Sequence, residues 1–473
     1  MKQYRHLFIT TFCLVLACSS AAASTLSQVT TIAVTLSSLM LGNQGAAFDS
    51  FRKTFGGANI EEGYGIFPVS GNRVVVTGFT ETDGAGGKDL LFNLYDTISG
   101  DLILSKAVGG TGNEIGYSVV DSHDGGFVFV GEIDTAGAGG TDMLVIKINA
   151  AADTIDWAYA FGDTGDETAR SVKRVPSDDG FIIAGFGDSY GTYDDGMLLK
   201  IDSAGGFSWC TALTGQYEDR FYDVEIDSNG NFRVVGATQT YSIENNDVLV
   251  AQVSATGNLD WAQGVFVFDE SAHGIAMAGD DSFAVVGCIF DLDIGHVEFF
   301  MKFDPSATLT HAKAYGLGNI DCSTSVVKTI TGYGVTGVTH RTGGQNGQQS
   351  LTEFDDINAD IEWSKIIGDN DDEDSGNALT IDGDGSFLVT GSIAENNGAG
   401  DYNLFFGKYK GDGGADCGPA SSPPMAILDV FFDSLQHAVT PTTSSPTLTR
   451  TDVKDQLPLT DIGSPVETLI CST

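Results

Sequence analysis

Basic residues are few: 23 Lys and Arg stand against 64 Asp and Glu, for a formal net charge of −41. That deficit excludes nucleic acid and anionic membrane surfaces as electrostatic partners, because both are polyanions. Proline is also scarce, with 10 in 473 residues, and together with 42% apolar residues this sets aside the proline-rich disordered class. No apolar run is long enough to span a bilayer; the longest, Leu7–Ala17 and Ile32–Leu41, fall well short of about 20 residues. The seven cysteines have no C-x-x-C spacing, and the histidines no HExxH pattern, so the usual zinc signatures are missing.

What the chain has in abundance is glycine, 61 in all, and much of it is periodic. The stretch Asp124-Gly125-Gly126-Phe127-Val128-Phe129-Val130-Gly131 returns seven times, its closing glycine falling at Gly78, Gly131, Gly185, Gly236, Gly287, Gly337 and Gly391. Spacings of 50 to 54 residues mark a repeat architecture with one supersecondary unit per copy. In the second copy, apolar and β-branched runs at Ile115–Val120, Phe127–Gly131, Met143–Ile148 and Ile155–Phe161 predict four short strands. The turn Asp124-Gly125-Gly126 predicts a hairpin between the first two, and Asp227-Ser228-Asn229-Gly230 and Asp382-Gly383-Asp384-Gly385 correspond to it.

Seven four-stranded units predict an all-β fold, a seven-bladed β-propeller over residues 51–416 whose first strands line a central channel. The outer strand is marked by Trp157, Trp209, Trp261 and Trp363, with Leu104 and His311 at the same place in two copies. No such strand follows the last repeat, whereas Phe51–Gly56, ahead of the first, matches it. The N-terminal strand is therefore expected to complete the seventh blade and close the ring.

The phrase Gly162-Asp163-Thr164-Gly165-Asp166-Glu167, followed by Ser171-Val172, Asp179–Gly185, Met197–Asp202 and Trp209, resembles the β-propeller repeats of secreted bacterial surface proteins, the SBBP-type family. The resemblance runs through all seven copies. It implies a propeller and an extracellular setting, and leaves the ligand open.

The ends read differently. Residues 1–23 have the form of a secretory signal: Lys2, Arg5 and His6, an apolar run, then Ala21-Ala22-Ala23. Val15-Leu16-Ala17-Cys18 also resembles a bacterial lipobox, which would place a lipid anchor at Cys18. Residues 24–50 read as a linker. In the tail, 417–473, Leu428, Phe431, Phe432, Leu435 and Val439 have helical spacing, and Thr440–Thr451 reads as a Thr/Ser/Pro linker. Cys417 and Cys471 bracket this tail and are candidates for a disulfide, while Cys288 and Cys322 fall on the same face of adjacent repeats.

One chemical pattern stands in every copy: an acid ahead of the inner strand, at Glu61, Glu114, Glu167, Asp219, Glu270, Asp321 and Glu373. These carboxylates are expected on one face around the channel mouth. They suit either hard-cation binding, Ca²⁺ above all, or acceptance of backbone N–H groups that lock each blade to the next. Asp369, Asp371, Asp372 and Asp374 form a denser local cluster with the same two readings.

No catalytic motif overlies the repeats. The expectation is an exported, non-catalytic binding or structural module at the cell surface or outside the cell, with an extracellular protein or glycan as partner. The alternatives are a calcium-dependent adhesin or matrix component, a carbohydrate-active hydrolase or lyase, and a filament subunit that self-assembles through its tails.

Overall fold

The computed structural model describes residues 50–411, apart from 190, 241, 243–245, 266–268, 292–294, 320, 341–346, 369–372 and 395–401. In the tail it describes 426–428, 436–439, 442–444, 448–461 and 466–472. Seven antiparallel sheets succeed one another along the chain. Their inner strands are Glu61–Val69, Glu114–Asp121, Glu167–Arg174, Asp219–Ile226, Glu270–Met277, Cys322–Lys328 and Asp374–Ile381. Each is followed outward by a second, a third and an outer strand, in sequence order, so the protein is a seven-bladed β-propeller. The ring closes where the sequence pattern places the closure: Phe51–Gly56 pairs antiparallel with Tyr402–Tyr409, Lys53 opposite Phe406, and serves as the outer strand of blade 7.

Burial explains why the repeats read as they do. Second and third strands such as Phe232–Thr238 and Asp142–Ile148 are buried along their whole length, because each is covered by a blade on either side. They therefore appear as continuous apolar runs, whereas the inner strand Glu61–Val69 alternates because only one of its faces packs. Much of the blade-to-blade contact is aromatic and aliphatic; Phe92 of blade 1 packs 5.5 and 5.0 Å from Phe127 and Phe129 of blade 2.

The hairpin turns have a second duty. Gly125 has φ +83°, a conformation that any side chain would strain, and this frees Asp124 to meet Lys147 of the third strand. In blade 7 Lys408 pairs with Asp382 at 2.6 Å and Asp384 at 2.8 Å, so those turn acids already have their cation. Blades 5 and 6 are joined covalently by a Cys288–Cys322 disulfide with a Cα–Cα distance of 4.7 Å.

The tail departs from expectation. Its described residues form no α-helix; they supply short strands that pass around the rim. Ala426–Leu428 pairs with the outer strand of blade 5, Gln436–Val439 with blade 4, Thr442–Ser444 with blade 3, Thr449–Asp452 with blade 2 and Leu459–Asp461 with blade 1. Val466–Ser472 then covers Phe51–Gly56 of blade 7. At the described residues 426–428, 436–439, 442–444 and 449–452 the chain is strand, because each of these blades offers an unpaired row of N–H and C=O groups. Pairing with that row satisfies the backbone at once, while a helix of this length is marginal in water. Leu448, Val453 and Leu457 are buried against blades 1 to 3, so the belt is packed as well as hydrogen-bonded.

Deleting residues 417–473 should bare six outer edges, lower the melting midpoint and cause association visible by size-exclusion chromatography. Leu457→Ala should cost about 2–5 kcal/mol in chemical denaturation. An unchanged midpoint with monomeric elution would show that the belt contributes nothing.

Candidate ligand site at the channel mouth

Every inner strand is interrupted at the same place. Its register with the second strand slips between Gly63 and Gly65, Gly116 and Ser118, Ala169 and Ser171, Phe221 and Asp223, Ala272 and Gly274, Ser323 and Ser325, and Gly376 and Ala378. Each slip is a β-bulge, and a bulge re-aims the residue it leaves over. Those residues are Tyr64, Tyr117, Arg170, Tyr222, His273, Thr324 and Asn377, and all seven line the central channel, a cavity of about 570 Å³.

Five of the seven form a continuous arc over blades 1 to 5. The rings of Tyr64 and Tyr117 lie 5.3 Å apart, the Arg170 guanidinium sits 4.1 Å from the Tyr117 centroid and 6.0 Å from that of Tyr222, and Tyr222 stacks on His273 at 5.1 Å. Among the described residues no carboxylate stands within 4.0 Å of Arg170, whose guanidinium meets the Tyr117 and Tyr222 rings and the Tyr117 hydroxyl. Burial, with the Glu62 carboxylate beside it, pushes the Tyr64 phenol up, and burial with Glu132 does the same for Tyr117. Burial and then Arg170 lower His273 to about 4, which keeps its imidazole neutral at pH 7. The other two ring members serve the scaffold: Thr324 donates to Gly376 O at 2.6 Å and Asn377 to Gly63 O at 2.9 Å.

Deeper in the channel the polar groups hold one blade to another. Ser171 donates to Asp223 at 2.6 Å, Ile275 N–H donates to the same carboxylate at 3.0 Å, and Lys173 pairs with Glu225 at 2.6 Å. Both carboxylates that line the channel are thus engaged. Hydrogen-bonded protein groups hold Asp223, and a lysine neutralises Glu225.

No family model matches the sequence, and no curated protein does. Among solved structures the chain is similar to the WD40 β-propeller domain of Doa1, at 11% identity and a TM-score of 0.47, over 75% of this chain and 96% of that one. It is similar also to Chaetomium thermophilum Sqt1 bound to the N-terminus of ribosomal protein L10, at 11% identity and TM-score 0.45, over 75% and 98% of the two chains. A third similarity is to the quinohemoprotein alcohol dehydrogenase of Comamonas testosteroni, at 11% identity and TM-score 0.40, over 80% and 78%. At these identities the likeness concerns architecture alone.

The repeated acids are buried in the packed interior instead of standing around the opening. Glu61, Glu114, Glu167, Asp219, Glu270 and Asp321 are at most 1% exposed, and in blade 7 the residue at this place is Asp374, not Glu373. Glu373 is exposed and accepts from the Tyr402 hydroxyl at 2.6 Å; the one-residue difference arises because the sequence offers four consecutive acids, 371–374, and only packing selects among them. Four of the buried acids tend their own loops. Glu61 accepts Gly57 N–H at 2.8 Å, Glu114 accepts Gly110 N–H at 2.7 Å, Glu167 accepts Asp163 N–H at 2.9 Å and Asp321 accepts Leu317 N–H at 2.7 Å. Their own N–H groups reach back to the preceding blade, as Glu114 to Lys88 O and Glu167 to Thr141 O, both 2.7 Å. Asp369, Asp371, Asp372 and Cys417 lie outside the described residues, as do residues 1–49 and the side chain of Cys471.

The channel ring escapes sequence reasoning because it is not one residue type: three members are tyrosine, and the other four are arginine, histidine, threonine and asparagine. The usable signal is the reverse of repetition: three residues after each acid the copies disagree, while their neighbours are alike.

Gly162 illustrates how tight the packed interior is. A Cβ there would lie 1.8 Å from Asp142 Oδ1 and 2.4 Å from Glu167 Oε2, so Gly162→Ala should lower the melting midpoint by several degrees, while Gly230→Ala, where a Cβ meets nothing within 4 Å, should act only through backbone strain at φ +81° and cost less. His273 binds a proton more readily unfolded than folded. Its contribution is therefore complete above pH 6.5 and is lost as the pH falls toward 4. Over that window wild type should lose more stability in urea titrations than His273→Gln; parallel losses would refute the assignment.

Proposed function

We propose that the chain is an exported, non-catalytic binding module, related to the SBBP-type repeats, that takes an extracellular protein segment at the channel mouth. The observation that carries this reading is the arc of Tyr64, Tyr117, Arg170, Tyr222 and His273: rigid aromatic groups around an arginine that has no carboxylate partner among the described residues. Tyrosine and arginine are among the residue types that dominate binding energy at protein interfaces, tyrosine because it buries much area with few rotors and keeps a polar tip, arginine because its planar guanidinium presents several donors in a fixed fork. The net charge of −41 draws basic partners by long-range attraction, and Arg170 then offers a local seat for a carbonyl or carboxylate.

Export rests on residues 1–23, and anchoring at Cys18 on the lipobox-like sequence. A hydrolase or lyase is disfavoured because the channel carboxylates Asp223 and Glu225 are engaged with Ser171, Ile275 N–H and Lys173. A filament built by the C-terminal tail is disfavoured because its described strands are paired with the chain's own blades.

Arrays of lysine- and arginine-rich peptides and of neutral and acidic glycans would be probed with residues 24–473. Binding to the basic peptides, weakened at least about tenfold by Arg170→Ala and by Tyr117→Ala with melting unchanged, is expected. Binding indifferent to both substitutions, or confined to glycans, would overturn the reading.

A further inference from the structure

The buried repeat acids have partners that the repeat pattern alone does not reveal. Two residues past each repeat glycine, the second strand pairs with a third-strand residue that faces the next blade: Asp89, Asp142, Asp195 and Asp247 in blades 1 to 4. In blades 5 to 7 the position passes to Val297, Gln348 and Asn403. Four consecutive junctions, from blade 1 to blade 5, thus carry an aspartate at this position as well as the inner-strand acid of the next blade; at the junction into blade 6 the second buried acid is Glu298, one residue further on, which accepts from the Ser323 hydroxyl at 2.6 Å.

The members of a pair converge. A Cβ on Gly109 would stand 1.9 Å from Asp89 Oδ1 and 2.6 Å from Glu114 Oε2, and one on Gly162 would stand equally tight against Asp142 and Glu167. Each pair of oxygens is therefore no further apart than the sum of its two distances, which suits one ion bound at about 2.4 Å by each. Asp142, Glu167, Asp195 and Asp219 are at most 2% exposed, and one oxygen of each, Asp142 Oδ2, Glu167 Oε1, Asp195 Oδ2 and Asp219 Oδ2, has no hydrogen-bond donor. Buried carboxylate oxygens without donors are costly, and two such groups side by side repel.

We propose that these junctions bind hard divalent cations of the calcium class, each bridged by the third-strand aspartate and the inner-strand acid of the next blade. Two features favour a cation over a shared proton. Amide N–H groups already point at these carboxylates, as Asp163 to Glu167 and Gly215 to Asp195, and such donors stabilise the ionised form. The same ring also supplies its own comparison: at the junction into blade 7 the aspartate is replaced by Gln348, and the Arg52 guanidinium stands 3.3 Å from Asp374. A fixed protein cation occupies the junction where the second acid is missing.

The test uses residues 24–473 stripped with EDTA, then dialysed against calcium, with bound metal counted by mass spectrometry and melting followed at pH 7.5. Wild type should retain calcium, up to about four ions per chain, and gain about 5 °C or more. Asp142→Asn/Asp195→Asn, which installs an amide like that of Asn403, should bind about two fewer ions and melt in EDTA no lower than wild type. Asp371→Asn/Asp372→Asn should leave count and midpoint shift unchanged. The proposal falls if no calcium is retained, if the junction variant binds as many ions as wild type, or if the loop variant abolishes the response. It falls equally if the EDTA-stripped protein is insensitive to calcium and gains its midpoint instead as the pH is lowered from 7.5 to 5.5, which would assign the pairs a shared proton.

Discussion

The structure depends on the contact between neighbouring blades. A four-stranded sheet with two apolar faces cannot stand alone in water, and each blade here solves that by lending both faces to its neighbours. The second and third strands consequently have no solvent side. Within each blade, glycine is forced where the bulged inner strand approaches the second: a Cβ on Gly131 would lie 1.7 Å from Ile115 O, one on Gly236 1.8 Å from Arg220 O and one on Gly391 1.8 Å from Ser375 O. The period of the sequence is the imprint of this contact. The glycine that allows one register recurs because the register recurs.

Closure turns a linear stack into a ring, and the protein closes twice. Phe51–Gly56 completes blade 7 from the N-terminal side, and Val466–Ser472 covers the same strand from the C-terminal side, so both ends of the described propeller chain meet on one sheet. Between these points the belt engages the outer edges of blades 5 to 1 in descending order. Such edges are where sheets associate with foreign strands. The protein's own tail covers six of the seven; among the described residues only Ile361–Ile367, the outer strand of blade 6, has no belt strand on it.

How much of this is legible in sequence follows from which interactions repeat. Blade number, strand order and the Phe51–Gly56 closure can be read directly, because seven copies of one packing problem leave seven copies of its answer. The belt cannot, since backbone pairing selects no residue type and the spacing of Leu428, Leu435 and Val439 imitates a helix. Asp374 cannot be told from Glu373 without packing, as both are acids in an acidic turn. The channel ring is invisible for a more instructive reason: a bulge creates the same opening in every blade, and Tyr64, Arg170 and His273 fill it differently.

That contrast separates scaffold from function within a single inner strand. Near its start the copies agree on a carboxylate, buried in every blade, and in four of them it accepts an N–H of its own loop. Three residues later they diverge, and the side chains stand in the channel. Acidity in this protein therefore has two origins. Surface acids such as Glu373 give it solubility and long-range attraction for cations, whereas Glu114, Glu167 and Asp219 are part of the packed interior. Removing the surface charges would alter what approaches the protein; removing the buried ones would alter whether the blades stay together.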